Sequence, residues 1–151
     1  MENIIIYTDG ASRSNPGKSA SGYLIIENKK EISNYFYNGI KTNNEAEYIA
    51  VISALKYLLN NKKEKSSLKL YSDSEVIIKQ LKGSYKVKGL NLIKLHEEAL
   101  NYLKKFSSYE LINVPRENKY ISHVDRNLNR VLDEVEKAEK LKNKLKICFY
   151  F

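Results

Sequence analysis

The sequence predicts a mixed α/β domain, with helices on the faces of a sheet that contains antiparallel and parallel strands. Three observations favour this class. Three strand-like segments near the amino terminus are separated only by short turns, and such turns join antiparallel strands. The hydrophobic period then becomes helical. Two later strand-like segments each follow a helix, so their crossovers make them parallel to the first strand.

The first three strands are predicted at residues 3–8, 22–27 and 31–39. Residues 3–8 form a nearly continuous apolar run, as in a strand that is buried on both faces. A turn rich in Gly, Ser, Asn and Pro occupies residues 10–17. Residues 28–30 are too few for anything except a hairpin turn, so we expect the second and third strands to pair.

The remaining elements alternate between helix and strand. Residues 43–60 are dense in apolar side chains and contain no helix breaker, and Thr42 with Glu45 matches a capping box at the start of this helix. The later elements are a strand at 68–72, a short helix at 74–81, a basic loop at 83–89, a helix at 91–106, a strand at 109–114 and a helix from about 122 to about 142. The predicted order is therefore βββαβααβα.

The composition is that of one globular domain of 151 residues. Hydrophobic residues make up 42%, which argues against disorder, and no apolar stretch is long enough to span a membrane. Cys148 is the only cysteine, which excludes an internal disulfide and a cysteine-based zinc site, so we expect a reducing, cytoplasmic compartment. An excess of 26 Lys and Arg over 18 Asp and Glu gives a net charge of +8, which favours a polyanionic partner.

We expect residues 1–142 to form the catalytic domain and residues 143–151 to form a basic and aromatic tail. In the tail, Lys144 and Lys146 precede an apolar segment, residues 147–151. Because five consecutive apolar residues avoid water, the tail is expected to pack back as an edge strand or against a helix. The alternative is that the tail docks on a protein partner.

Asp9 and Asp73 each follow a predicted buried strand. If the first and fourth strands are parallel neighbours, both carboxylates emerge at the same carboxyl edge, where open α/β sheets place their ligands. Asp73 has an alternative role, because an aspartate in this position can cap the helix that follows.

Glu47 lies in the middle of the apolar face of the helix over 43–60. At about 100° per residue it shares a stripe with Val51, Ala54 and Leu58. Glu45, in contrast, points to water. A buried carboxylate is costly unless it meets a proton, a cation or a metal, so Glu47 is a candidate functional acid.

Asp125 borders the core stripe of the last helix, in its first turn, where an acid can also serve only to complement the helix dipole. Oxygen ligands without His or Cys select Mg²⁺ or Mn²⁺. Two such ions about 4 Å apart can activate a water and stabilise the leaving oxygen of a phosphodiester. A basic protein with an acidic edge therefore has the groups that a nuclease needs.

Four motifs resemble type 1 ribonuclease H, in its compact bacterial and archaeal form without a basic handle. They occur in the family's order at residues 7–13 with 15–17 (YTDGASR and NPG), 42–48 (TNNEAEY), 71–75 (YSDSE) and 114–118 (VPREN). The resemblance implies a ribonuclease H-like sheet with strand order 3-2-1-4-5, which places the first and fourth strands side by side. It also implies endonucleolytic hydrolysis of the RNA strand of RNA–DNA hybrids, leaving 3′-hydroxyl and 5′-phosphate ends.

The resemblance also implies a metal site. The family's catalytic, metal-binding acids correspond to Asp9, Glu47, Asp73 and Asp125 in this sequence. They would hold two Mg²⁺ ions per site, with Mn²⁺ as a substitute. Asp125 is matched through residues 125–130, which resemble the family's final helix.

Recognition of RNA requires contacts to its 2′-hydroxyl groups. The turn at Gly10 can present backbone groups to them, and Asn44 can add an amide donor and acceptor. Lysines and arginines can hold phosphates, and an aromatic ring can pack on a sugar or a base. Alternative roles for these residues are a tight turn, a helix cap and a solvated surface. The candidate substrate-binding residues are Gly10, Ala11, Ser12, Arg13, Asn15, Asn43, Asn44, Tyr85, Lys86 and Lys88.

Two other functions stay open at this point: a metal nuclease of the same fold that acts on DNA, and a non-catalytic module that binds nucleic acid. The pair Asn43–Asn44 and the turn at Gly10 argue against the first. The presence of all four acids argues against the second.

We expect a monomer that has an RNA–DNA hybrid as its partner and makes no membrane contact. Product release could involve His123 or a loop residue, Arg116 or Glu117. A surface histidine without a role is the simpler interpretation of His123.

Overall fold

A computed structural model describes residues 2–150 of the chain, except for the side chains of residues 147–150. Its core is one mixed sheet of five strands in the order β3-β2-β1-β4-β5. The first three strands pair antiparallel, and β4 and β5 continue the sheet parallel to β1, as the resemblance implies. The strands are β1 (Asn3–Ser12), β2 (Gly17–Glu27), β3 (Lys30–Lys41), β4 (Ser67–Ser72) and β5 (Ser108–Asn113).

Helices cover both faces of the sheet. They are α1 (Asn43–Asn60), α2 (Glu75–Leu81), α3 (Leu90–Leu103) and α4 (Lys119–Tyr150). Alternate residues of β1 point to opposite faces, so Ile4 and Ile6 pack with α1 and α3, whereas Tyr7 packs with Val124 and Leu128 of α4. None of the helices in the described part of the chain is both long and apolar enough to cross a bilayer.

β1 and β2 are longer than the sequence predicts. Residues 8–12 of β1 pair antiparallel with residues 19–23 of β2, so the predicted turn over 10–17 shrinks to 13–16. The segment lacks large apolar residues, but its small side chains allow burial inside the sheet, and Ser19 and Ser21 are fully buried. Asp9 therefore lies within β1, opposite Gly22, two residues beyond the last pairing of β1 with β4 at Tyr7.

The start of α1 follows the predicted capping box. The Thr42 hydroxyl accepts a hydrogen bond from the Glu45 backbone N–H at 3.1 Å, and the Glu45 carboxylate accepts one from the Thr42 N–H at 3.0 Å. These two reciprocal bonds satisfy backbone donors that the first helical turn leaves free. The start of α1, at the edge of the sheet that carries Asp9, is thereby well defined.

α4 begins earlier and ends later than the sequence predicts. Asn118 caps it, because its side-chain oxygen accepts hydrogen bonds from the N–H groups of Tyr120 and Ile121 at 3.0 and 3.2 Å. Residues 143–150 continue the helix and do not form the expected edge strand. The packing predicted for the side chains of 147–150 and for Phe151 lies outside the described residues. The separate tail stays a prediction.

Candidate active site

Three carboxyl groups from distant parts of the chain meet at one edge of the sheet. Asp9 comes from β1, Asp73 follows the end of β4, and Glu47 lies in the second turn of α1. Each side chain offers one oxygen, and these three oxygens lie within 4.8 Å of one another. Asp9 and Glu47 are only 5% and 8% exposed, so both carboxyl groups have lost most of their water.

Gly10 allows α1 to approach β1 closely enough for this meeting. A Cβ atom at this position would lie 2.3 Å from the carbonyl carbon of Ala46 and 2.5 Å from the backbone nitrogen of Glu47. Both distances are far inside van der Waals contact. The close approach that the sequence suggested for Gly10 is therefore first of all an approach to the backbone of α1, and it positions Glu47 beside Asp9.

The pKa values of all three acids are raised. Burial, followed by the nearby charge of Asp73, raises the pKa of Asp9 from 3.8 to about 7. Burial and the charge of Asp9 raise the pKa of Glu47 well above its ordinary value. Burial also raises the pKa of Asp73, although the guanidinium of Arg116 partly offsets this effect. The cluster therefore favours a bound positive charge.

The donor set fits a hard divalent cation. Oε2 of Glu47 is buried and has no hydrogen-bond partner, which is costly for a polar atom unless a cation or water occupies the space beside it. The carboxylate of Asp73 is also available to a cation, because it does not cap α2. The cap is Ser74, whose hydroxyl accepts a hydrogen bond from the Ile77 N–H at 3.3 Å. Three carboxylates without histidine or cysteine are ligands suited to Mg²⁺ or Mn²⁺.

The three acids line a cleft of about 380 Å³. Asp125 of α4 lines the same cleft, and its charge contributes to the raised pKa of both Asp9 and Asp73. Asp125 lies outside the group of three whose oxygens are within 4.8 Å. The cleft thus contains all four acids that the sequence singled out, three of them in close contact and the fourth at its α4 wall.

The candidate substrate residues fall into three groups. Five line the acidic cleft: Gly10, Ala11, Ser12, Arg13 and Asn43. Three line a neighbouring cleft of about 490 Å³ beside the start of α1: Asn15, Asn44 and Lys88. The other two, Tyr85 and Lys86, are exposed on the loop after α2 and line neither cleft.

Hydrogen bonds of two asparagines link the connection between β1 and β2 to the start of α1. The Asn43 side-chain oxygen accepts a hydrogen bond from the Ser12 N–H at 3.0 Å. The Asn43 N–H in turn donates to the side-chain oxygen of Asn15, also at 3.0 Å. Both side-chain oxygens are thus engaged within the protein, whereas Asn44 is exposed at the rim of the neighbouring cleft.

Arg13 is paired within the protein. Its guanidinium lies 2.7 Å from the carboxylate of Asp133 and 3.1 Å from that of Glu136, both on α4. It also donates to the backbone carbonyl of Asn129 at 3.1 Å. The charge that the sequence assigned to a phosphate contact is therefore largely balanced, and Arg13 ties the end of β1 to α4.

A buried glutamine supports the basic loop. Gln80 accepts a hydrogen bond from the Tyr48 hydroxyl at 2.8 Å and donates to the Lys86 carbonyl at 3.3 Å. Its own carbonyl lies 3.0 Å from Nε2 of His96. His96 thus has a structural role, and the path of the loop depends on side chains of α1, α2 and α3.

Two polar residues of the cleft were not among the metal or substrate candidates. Arg116, which the sequence suggested only for product release, lies at the cleft beside Asp73. Asn129 lines the cleft one helical turn after Asp125, a spacing that places both on one side of α4. His123 lies outside the cleft, near the ring of Tyr35 at 6.4 Å between centroids.

The fold and the cleft define the class of the protein: an α/β protein with a cluster of carboxylates, of a kind suited to divalent cations, at the carboxyl edge of its parallel strands. The family model described as RNase H matches residues 1–141. The chain belongs to the RNase H family, and it is an enzyme of the ribonuclease H class.

A curated relative and two solved structures match over nearly their whole length. A ribonuclease H of Clostridium botulinum is 36% identical over 89% of this chain and 98% of its own. Among solved structures, RNase H1 from the archaeon Halobacterium salinarum has a TM-score of 0.80 at 30% identity, covering 87% of this chain and 98% of its own. LC11-RNase H1, solved in complex with an RNA/DNA hybrid, matches with the same TM-score and coverage at 31% identity.

Proposed function

We propose that this chain hydrolyses the RNA strand of RNA–DNA hybrids as a metal-dependent endoribonuclease with two Mg²⁺ ions per site. Asp9, Glu47, Asp73 and Asp125 would hold the ions, and the products would carry 3′-hydroxyl and 5′-phosphate ends. The single observation that carries the proposal is the trio of carboxylates within 4.8 Å, with one buried oxygen that lacks a partner. Mn²⁺ offers the same preference for oxygen ligands and is expected to substitute.

The chain's own residues supply position and charge. Bound divalent ions would activate a water and stabilise the leaving oxygen of the phosphodiester. Asp9 and Glu47 are held rigidly, because β1 and α1 are packed against each other at Gly10. Asp73 and Asp125 extend the acidic wall from β4 toward α4. Arg116 adds the positive charge of the cleft wall, where it can face a phosphate.

Recognition of a hybrid is proposed for the two neighbouring clefts. The connection at Gly10, Ala11 and Ser12 borders the acids, so a backbone bound there brings a phosphodiester to them. Asn44 and Lys88 lie in the second cleft, where an amide and an ammonium group can contact sugar and phosphate. The hybrid-bound relative and the net charge of +8 support this choice of substrate.

A cleavage assay tests the proposal. Labelled RNA–DNA hybrid and duplex DNA of the same sequence are offered side by side, with Mg²⁺, with Mn²⁺ and with a chelator. We expect the RNA strand of the hybrid to be cut only when metal is present, with end analysis giving 3′-hydroxyl and 5′-phosphate. Faster cutting of duplex DNA would overturn the choice of substrate.

Glu47→Gln tests the role of the buried acid. We expect this variant to bind the hybrid normally in fluorescence anisotropy and to lose at least about a hundredfold in kcat, because one metal ligand loses its charge. Glu97→Gln, at an exposed position on α3, is the matched control and should keep full activity. Undiminished turnover in Glu47→Gln would remove this residue from the mechanism, and binding without turnover in the wild type would make the chain a non-catalytic module.

A further inference from the structure

The last part of α4 extends beyond the body of the protein. Lys18, at the start of β2, pairs with Glu139 of α4, and Arg13 pairs one turn earlier with Glu136. Residues 140–146 are all exposed and continue the helix, and the family model ends at residue 141. We call residues 140–146 the α4 arm. Most of it lies beyond the residues that the family model matches.

The arm leaves the body at the edge that carries the acidic cleft. Along α4, Asp125 and Asn129 line the cleft, and Arg13, which also lines it, contacts the helix at Asp133 and Glu136. The arm begins one turn further on. At about 1.5 Å per residue, Lys140 lies about 22 Å from Asp125 along the helix axis and Lys146 about 31 Å.

Among the residues that the structure describes, no ion pair balances the charge of the arm. Four of its seven residues are lysines, namely Lys140, Lys142, Lys144 and Lys146, and it contains no acid. Of the acids that precede it, Asp133 and Glu136 pair with Arg13 and Glu139 pairs with Lys18, both residues of the body. These three acids are engaged with the body, which leaves the lysines of the arm for another anion.

We propose that the α4 arm binds the phosphate backbone of a bound hybrid outside the cleft, as a second electrostatic contact. This inference rests on the proposed function, because a hybrid held at the acids is what brings a polyanion to this edge. A second copy of the chain fits less well, because two such arms would repel each other. Within the arm only Leu141 and Leu145 are apolar, at 61% and 53% exposed, and these two side chains offer little area for insertion into a lipid surface.

The reach of the arm predicts a dependence on substrate length. The proposal places the axis of the hybrid along α4; with about 3.4 Å per base pair, a hybrid of about 24 base pairs centred on the cleft then extends about 40 Å to either side, past the end of the arm. A hybrid of about 8 base pairs extends only about 14 Å and stays short of Lys140. The arm should therefore matter for the long hybrid and not for the short one.

The test compares variants that each change four lysines. The arm variant changes Lys140, Lys142, Lys144 and Lys146 to Gln. The control variant makes the same change at Lys29, Lys30, Lys62 and Lys65, four exposed lysines near the opposite edge of the sheet. A third variant changes the four arm lysines to Arg, which keeps the charge. Anisotropy with labelled hybrids in chelator measures binding without cleavage, and KM and kcat are measured with Mg²⁺.

For the long hybrid we expect the arm variant to raise Kd and KM by about threefold to tenfold and to flatten the salt dependence of binding, with kcat unchanged. The Arg variant should match the wild type, and the short hybrid should not distinguish the proteins.

Equal effects in the arm and control variants, or equal effects on both hybrids, would overturn the proposal. So would loss of binding to vesicles of phosphatidylglycerol and phosphatidylcholine in the arm variant without a change in hybrid binding. If the wild type binds the hybrid but does not cut it, the proposed function fails while the arm is still tested by anisotropy.

Discussion

At the scale of single residues, the acidic cleft opposes the stability of the fold. Asp9 and Glu47 are buried side by side, and both have raised pKa values because burial and the charges of neighbouring acids, Asp73 at Asp9 and Asp9 at Glu47, disfavour their charged forms. Oε2 of Glu47 also lacks a hydrogen-bond partner. Such groups cost folding free energy unless a cation compensates them, so the cluster is better explained by metal binding than by any structural need.

The raised pKa of Asp9 predicts how stability depends on pH without metal. The folded pKa of about 7 lies above the ordinary 3.8, so the folded state binds more protons between these values. The stabilising contribution of protonated Asp9 is therefore complete below about pH 4 and is lost as the pH rises through about 7. Urea unfolding in chelator should show Asp9→Asn to be more stable than the wild type at about pH 8, and about equal near pH 4. A variant less stable than the wild type at the higher pH would contradict this picture of the site.

Gly10→Ala should damage both the fold and the site. The new Cβ would meet the backbone of Ala46 and Glu47 at 2.3 to 2.5 Å, so α1 must move away from β1. We expect a loss of about 2–4 kcal/mol in the free energy of unfolding and a large loss of kcat. Gly39→Ala is the control, because no atom lies within 4 Å of its Cβ position and only its positive φ of 79° resists the change, at about 1 kcal/mol. Similar losses in the two variants would show that Gly10 is not required by the close approach.

At the scale of elements, β1 and α4 are joined at the cleft by ion pairs as well as by apolar packing. Tyr7, Leu24 and Leu128 form part of the apolar contact, and Arg13 adds its bonds to Asp133 and Glu136. This apolar contact and these ion pairs hold α4, and with it Asp125, beside the acids of β1 and α1. We therefore expect Arg13 to position α4.

A double-mutant cycle with Arg13→Gln and Asp133→Asn tests this role. We expect a coupling of about 0.5 kcal/mol in the free energy of unfolding, since the pair is partly exposed and screened by solvent. We also expect Asp133→Asn not to tighten hybrid binding, because Arg13 keeps its contact with Glu136. Additive effects on stability, together with tighter hybrid binding by Asp133→Asn, would instead show that Arg13 is a phosphate ligand held back by Asp133.

At the scale of the whole molecule, local patterns predicted the elements better than their ends. Glu47 could be chosen from the sequence because its place on the apolar stripe of α1 is set by helical geometry alone. Asp73 could be chosen because a strand and a helix flank it closely. The end of β1 could not be predicted, since residues 8–12 are held in the sheet by pairing with β2 and not by their own apolar character.

Local sequence patterns do not predict the long-range contacts of the site. Arg13 and Asp133 are 120 positions apart, and no local rule shows that they pair. The sequence places the start of α4 at about residue 122, three residues after its actual start at Lys119, and therefore does not predict the cap at Asn118. The strand order came from the resemblance, since short turns and crossovers alone do not decide which strands are neighbours.

The melting temperature of the metal-stripped protein with and without Mg²⁺ tests the central claim most directly, namely that the clustered acids of the cleft form a cation site. Because Mg²⁺ would bind the folded state and relieve repulsion there, millimolar Mg²⁺ should raise the wild-type melting temperature by about 3–5 °C at constant ionic strength. Asp9→Asn should lose most of this rise, and Glu97→Gln should keep it. An unchanged wild-type melting temperature at a Mg²⁺ concentration that supports full cleavage would contradict the account.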